Sequence, residues 1–333
     1  MLLSLLDKSP LQKGEGAATA LARTVRLAQT AERLGYHRFW LAEHHGMQGF
    51  ASAVPEVLIA HILGKTSRIR VGSGGIMLQH YSAYKVAETF NTLAALAPGR
   101  VDLGIGKAPG GFPYSTKALQ AGRDVPRWPS FDEQVTELDG YLARCFERGA
   151  PAQAVASPIP PAPPERFLLG GSIDSAILAA ERGWGFVFAG HMNGDPALTE
   201  QSLAAFARHG GRGTPLLSVL VLAAEAKGEA EARVEGLGGV KVRFATGHSV
   251  NLGNREQAAE YARQAGTSDY EVIDTKPNVL AGTSEQVHRE LDLLRQRFGV
   301  EEFVIETPPV PADARQKTIE LLGARIGAAP APV

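Results

Sequence analysis

A single cysteine, Cys145, stands in the 333 residues, so no internal disulfide framework exists and a reducing cytoplasm suits the chain. It falls in a helical pattern with Tyr141, Leu142 and Phe146, where a small buried hydrophobe is the ordinary reading. Long apolar runs are missing as well. Met1–Leu6 is stopped by Asp7 and Lys8, too soon for a signal-peptide core or a spanning helix. No block of like charges occurs and the net charge is −1, so neither nucleic acid nor a membrane surface is an expected partner. Neither His-Glu-x-x-His nor Cys-x-x-Cys occurs, so no metal centre is expected.

What the chain does have is an ordinary globular balance, 44% hydrophobic and 21% charged, and a regular alternation of patterns. Short apolar runs read as strands at Leu2–Leu6, Arg38–Ala42, Ile69–Ser73, Val101–Ile105, Phe167–Leu169, Phe186–Phe188, Leu216–Leu222 and Glu302–Ile305. Amphipathic runs read as helices at Ala20–Leu34, Val54–Leu63, Tyr84–Ala97, Phe131–Phe146, Ile173–Arg182, Leu198–Ala207 and Ser284–Phe298. Alternating β and α elements predict a parallel sheet with crossover helices, and eight units predict an α/β fold of the (β/α)8 TIM-barrel type with insertion loops. A doubly wound open sheet is the alternative. Six prolines between Pro151 and Pro164 read as a long loop rather than a linker, because the alternation runs across them unchanged. The expected organisation is one barrel domain over residues 1–326, with a frayed Ala/Pro-rich tail over 327–333. Gly236–Lys276 lacks clear periodicity and reads as an insertion or lid.

Barrel chemistry gathers where strands end. The second strand ends in Glu43-His44-His45, and neighbours on an extended chain face opposite ways, so the two histidines diverge. The third ends in Gly72-Ser73-Gly74-Gly75, which reads as backbone approaching a flat ligand or as a turn. The fourth runs into Gly104-Ile105-Gly106-Lys107, and Lys107 is a candidate anion ligand or a solvated loop residue. The fifth leads into Gly170-Gly171-Ser172-Ile173-Asp174-Ser175, where free amides at a helix start form an anion site and Ser172 also suits an N-cap. Gly64-Lys65-Thr66 follows a helix and has Ile59 where a phosphate loop needs glycine, so it is a helix end.

Taken in order, Glu43-His44-His45, Gly72 to Gly75, Gly104 to Gly110 and Gly170 to Ala176 resemble the bacterial luciferase-like flavin-dependent monooxygenases. Ala31-Glu32-Arg33-Leu34-Gly35-Tyr36, Pro98-Gly99-Arg100-Val101-Asp102 and Ala281-Gly282-Thr283-Ser284 agree, and the likeness covers roughly residues 2–306. It is nearest the single-chain oxidoreductases, not the light-emitting subunits. The resemblance implies a flavin monooxygenase that oxygenates a small organic substrate with reduced FMN and O2, through a C4a-(hydro)peroxyflavin. A separate flavin reductase would supply the reduced FMN. It implies His44 as the active-site histidine, and Lys107, Gly171, Ser172 and Ser175 around the flavin phosphate. Ser73, Gly74 and Gly75 would lie under the ring, with a cis Gly74–Gly75 peptide. Light-emitting relatives carry arginine where Lys107 stands, and their reactive cysteine falls on Gly106. A homodimer packed through the N-terminal-half helices is also implied, with Ile59, Ile62 and Leu63 as apolar candidates. A non-catalytic flavin-binding barrel, a deazaflavin-dependent oxidoreductase and a metal-dependent barrel hydrolase remain open.

Overall fold

The computed structural model describes residues 1–124, 127–144, 154–192, 194–245, 247 and 249–326. Cys145, the start of the proline-rich loop and the C-terminal tail lie outside the described residues. The chain runs β1 (Leu2–Asp7), α1 (Ala17–Leu34), β2 (Arg38–Leu41), α2 (Pro55–Leu63), β3 (Arg70–Ser73), β4 (Ile76–Met77), α3 (Ala83–Leu96), β5 (Val101–Gly106), α4 (Pro113–Leu119) and α5 (Phe131–Arg144). It continues with β6 (Glu165–Gly170), α6 (Ile173–Glu181), β7 (Gly185–Phe188), α7 (Pro196–Arg208), β8 (Leu216–Ala224) and α8 (Glu229–Val234). It ends with β9 (Gly239–Phe244), β10 (Ser249–Leu252), α9 (Arg255–Ala265), β11 (Tyr270–Thr275), β12 (Val279–Thr283), α10 (Ser284–Phe298), β13 (Glu302–Glu306) and α11 (Ala312–Gly323).

Eight parallel strands close into a ring in the order β13-β1-β2-β3-β5-β6-β7-β8, because β8 pairs with both β7 and β13. An open doubly wound sheet would leave two edges, so the closure excludes it. The eight are the strands expected from the apolar runs. Strand alternation sends Leu6, Trp40, Phe167, Val187, Leu216 and Val304 into the barrel, where they pack together. Their neighbours Leu5, Phe39, Leu41 and Val71 join the layer between strands and helices. The short β12 adds outside the ring on β8.

Local signals set the helix ends. Thr283 and Gln286 make a reciprocal capping box at the start of α10, and Gly299 at φ 64° ends it. On α2, Ile59, Ile62 and Leu63 are buried against the barrel, while Val57 faces outward at 67% exposure. The residues expected to favour a dimer therefore belong to the chain's own core.

The described residues of the stretch Gly236–Lys276 form regular secondary structure. It holds an antiparallel sheet in the order β10-β9-β11, covered by α9. Val240, Val242 and Phe244 alternate with Lys241 and Arg243, and the apolar face packs on Ala258, Tyr261 and Ala262. This unit leans on the loop beyond β5: Phe112 meets Tyr261 at 5.7 Å, and the Tyr114 amide donates to Gln264 Oε1 at 3.0 Å. Among the described residues no helix is long and apolar enough to cross a membrane.

Candidate active site

The strands β3 and β5 approach closely, and this explains their glycines. A Cβ on Gly72 would lie 2.4 Å from the Asp102 carbonyl oxygen, and one on Gly104 2.2 Å from that of Ser73. Ser73 is buried, and its hydroxyl donates to Gly104 O at 2.8 Å while accepting from Gly104 N at 3.1 Å. Its side chain is thus used between strands and leaves only backbone to face a ligand. The Gly74–Gly75 peptide is cis, as the resemblance implies.

Beside this turn the two histidines part. His45 Nε2 pairs with Glu43 Oε1 at 2.6 Å, and its amide donates to Gly110 O at 2.7 Å. The buried Glu43 also accepts from Tyr81 Oη at 2.8 Å and from the Met77 amide at 3.1 Å. His45 is therefore wired into the loop. The His44 ring turns the other way and packs on Phe50, with ring centres 4.8 Å apart. Its Nδ1 is buried and has no hydrogen-bond partner. Burial, with the nearby Lys8 charge, pushes the His44 imidazole down to about 3, so it is neutral at pH 7.

Three further polar side chains meet at this end of the barrel. Lys8 follows β1, His191 follows β7 and Glu306 ends β13. Lys8 Nζ lies 2.5 Å from Glu306 Oε1, and His191 Nε2 lies 3.6 Å from Glu306 Oε2. Glu306 Oε2 and His191 Nδ1 are both buried without hydrogen-bond partners. Burial pushes Glu306 up, but Lys8, His191 and His44 outweigh it and hold the carboxyl below its ordinary range. Burial pushes His191 down to about 4, against the pull of Glu306. None of these three was singled out from the sequence. The only signal for them in the sequence is position, since each sits at or just past a strand end.

Across the barrel mouth lies a second polar region. Gly106 pairs with Leu169, so Lys107 and the turn Gly170–Ser172 leave adjacent parallel strands side by side. Lys107 is exposed, 6.0 Å above the Phe131 ring centre, and makes no ion pair among the described residues. Ser172 caps α6, accepting from the Ser175 amide at 3.3 Å, and the two hydroxyls lie 3.0 Å apart. Nothing lies within 4 Å of where a Gly171 Cβ would stand. A cation, free helix amides and two hydroxyls beside open space suit a phosphate monoester. The structure thus gathers the predicted residues into two groups, His44 with Gly74 and Gly75, and Lys107 with Gly171, Ser172 and Ser175. Both lie at the C-terminal ends of the strands. Among the described residues no group of three or more His, Cys, Asp or Glu could hold a metal ion.

The model of the luciferase-like monooxygenases matches residues 1–302. The chain belongs to that family. An N-acetyl-S-alkylcysteine monooxygenase of Bacillus subtilis (strain 168) is 45% identical over 332 residues, covering 98% of each chain. The crystal structure of apo-MsnO8 matches with a TM-score of 0.77 at 32% identity, covering 99% of both chains. An F420-dependent secondary alcohol dehydrogenase, in complex with an F420-acetone adduct, shares the fold alone. Its TM-score is 0.66 at 14% identity, over 96% of this chain and 98% of that one. Membership in the luciferase-like monooxygenase family supports an oxygenase.

Proposed function

We propose that the chain is an FMN-dependent monooxygenase that takes reduced FMN from a separate reductase and oxygenates a thioether on an N-acylated amino acid. The observation that carries the reading is the orphaned, buried Nδ1 of His44 at the mouth of a barrel whose far side sets Lys107 beside the capped start of α6, a pairing that suits a phosphate. The substrate class follows from the whole-length relative, whose name states an N-acetyl-S-alkylcysteine. Bound reduced FMN supplies two electrons that activate molecular oxygen, which the carbon-centred deazaflavin does poorly. One oxygen atom enters the substrate. The other leaves as water with the two electrons and two protons taken from the reduced flavin and medium.

The chain's own residues do the rest. Lys107 and the first amides of α6 hold the phosphate by charge-assisted hydrogen bonds, with Ser172 and Ser175 beside them. Gly75 is buried against β5, and the half-buried Gly74 offers backbone without a side chain to a flat ring. His44 is neutral at working pH, so it can hold or hand on one proton at Nδ1. Phe50 shields that ring from water.

The test mixes protein and photoreduced FMN with 18O2 and N-acetyl-S-benzylcysteine in one turnover. One labelled atom in the product supports the reading. Flavin reoxidation without labelled product overturns it, and turnover with reduced F420 alone makes the chain a deazaflavin-dependent reductase. We also propose a homodimer, now resting on outward Val54, Val57 and Leu96, at 50%, 67% and 71% exposure. Light scattering that returns a monomer at micromolar concentration removes it.

A further inference from the structure

Lys8, Glu306, His191 and His44 come from four different strand ends and form one polar cluster, buried at Glu306 and half-buried at the other three. Its hydrogen-bond inventory is incomplete in a definite way. Glu306 Oε1 is taken by Lys8, while Oε2 is a buried acceptor without a donor. His191 Nδ1 and His44 Nδ1 are buried nitrogens without partners. Native proteins seldom leave three such atoms together, because each costs the desolvation of a polar group. The charge inventory, in contrast, is complete. Lys8 and Glu306 cancel, and both imidazoles are neutral, so the cluster carries no net charge.

We propose that this cluster is the subsite for the substrate's acylamino group, its N–H donating to Glu306 Oε2 and its carbonyl oxygen accepting from the imidazole of His191. A secondary amide carries one donor and one acceptor and no charge, which answers Glu306 Oε2 and a protonated Nδ1 of the neutral His191 ring and leaves His44 Nδ1 to the reacting centre. A free ammonium fits poorly. It would be stripped of water beside Lys8, whose own charge already satisfies the carboxylate. A carboxylate fits worse, since it would face Glu306. The inference rests on the thioether reading above for the rest of the substrate, and it adds a reason why such a substrate would be acylated at nitrogen.

The experiment measures binding by calorimetry to the FMN-loaded protein, without turnover. Three ligands are compared: N-acetyl-S-benzylcysteine, its free amine S-benzylcysteine, and the ester in which oxygen replaces the amide N–H. Wild type should bind the acetamide about 10- to 100-fold more tightly than either of the others, the range of a lost hydrogen bond to a charged group. In Glu306→Gln, Lys8 keeps the carbonyl oxygen of the new amide and its NH2 faces the ligand N–H, donor against donor. Acetamide affinity should fall by about the same factor, while ester affinity changes less than about threefold. His191→Phe should weaken the acetamide and the ester alike, since both keep the carbonyl. Equal binding of acetamide and ester in wild type overturns the proposal without any variant, and so does binding of none of the three. An acetamide preference that survives Glu306→Gln, in protein with unchanged thermal unfolding, assigns the subsite elsewhere and overturns it too. Selective binding without oxygenation of the bound thioether leaves the subsite standing and removes the monooxygenase reading instead.

Discussion

Both ends of this barrel carry a buried cluster of charge, and the two are built differently. At the N-terminal ends of the strands, Arg38 donates to Glu302 at 2.9 Å, to Asp102 at 3.0 Å and to Glu165 at 2.8 Å. Arg70 and the Trp40 indole each donate to Asp102 at 2.9 Å, and Ser4 donates to Glu302 at 2.6 Å. Every charge there has opposite charge or a donor in contact, as a structural plug requires. At the C-terminal ends, Lys8 and Glu306 pair, but Glu306 Oε2, His191 Nδ1 and His44 Nδ1 are left open. Burial is similar, so burial alone does not mark a site. What separates the floor from the mouth is whether the hydrogen bonds are used up within the chain.

Four measurements sharpen or break this contrast. The largest effect is expected at the mouth. His44→Ala should lower single-turnover oxygenation by about 10²–10⁴-fold, the usual contribution of a positioned acid–base group. FMN affinity should stay within about threefold. His45→Ala should instead cost stability, since His45 is bonded to Glu43 and the loop. Normal product yield in His44→Ala would leave the orphaned nitrogen without a role.

At the floor, Asp102→Ala removes the one fully buried carboxylate shared by Arg38, Arg70 and the Trp40 indole, leaving Arg38 with Glu302 and Glu165 and Arg70 with Glu165. Urea unfolding should show a loss of about 3–5 kcal/mol. A loss under about 1 kcal/mol would mean that the floor is not a plug. Lys107→Ala should weaken FMN roughly 10- to 150-fold while leaving riboflavin unchanged, because the charge-assisted bonds go to the phosphate alone. Equal losses for both flavins would make Lys107 structural.

The smallest effect is on pH dependence. His44 and His191 are pushed down to about 3 and about 4 in the fold, against an ordinary value near 6.5. Between about pH 6.5 and 4 the unfolded chain binds protons that the folded chain does not, so stability is full above 6.5 and falls with acid. Each histidine should contribute roughly 1–3 kcal/mol to that loss, after allowance for partial exposure. Replacing both by phenylalanine should flatten the thermal unfolding profile over that window. An unchanged slope would place the acid sensitivity elsewhere.

Particular elements show how much could be read beforehand. The expected helix Ser284–Phe298 is α10 to the residue, because Thr283, Gln286 and Gly299 mark both ends chemically. The helix α11, behind Pro311, and the strand Val240-Lys241-Val242-Arg243-Phe244 inside the insertion add to the expected elements. At the mouth, strand alternation foretold that His44 and His45 diverge. It had no means to show Lys8 against Glu306, which stand at opposite ends of the chain.

Local order in the chain therefore determined the elements: which runs are strands, which faces are apolar, and where glycine must stand. Those follow from backbone geometry and side-chain period over a few residues. Only the tertiary structure decided that the sheet closes, because the pairing of β8 with β7 and β13 leaves no trace in either strand's own pattern. Closure brings the ends of β1, β2, β7 and β13 to one mouth. Burial there silences two histidines and leaves three polar atoms open, effects that depend on surroundings supplied by distant residues.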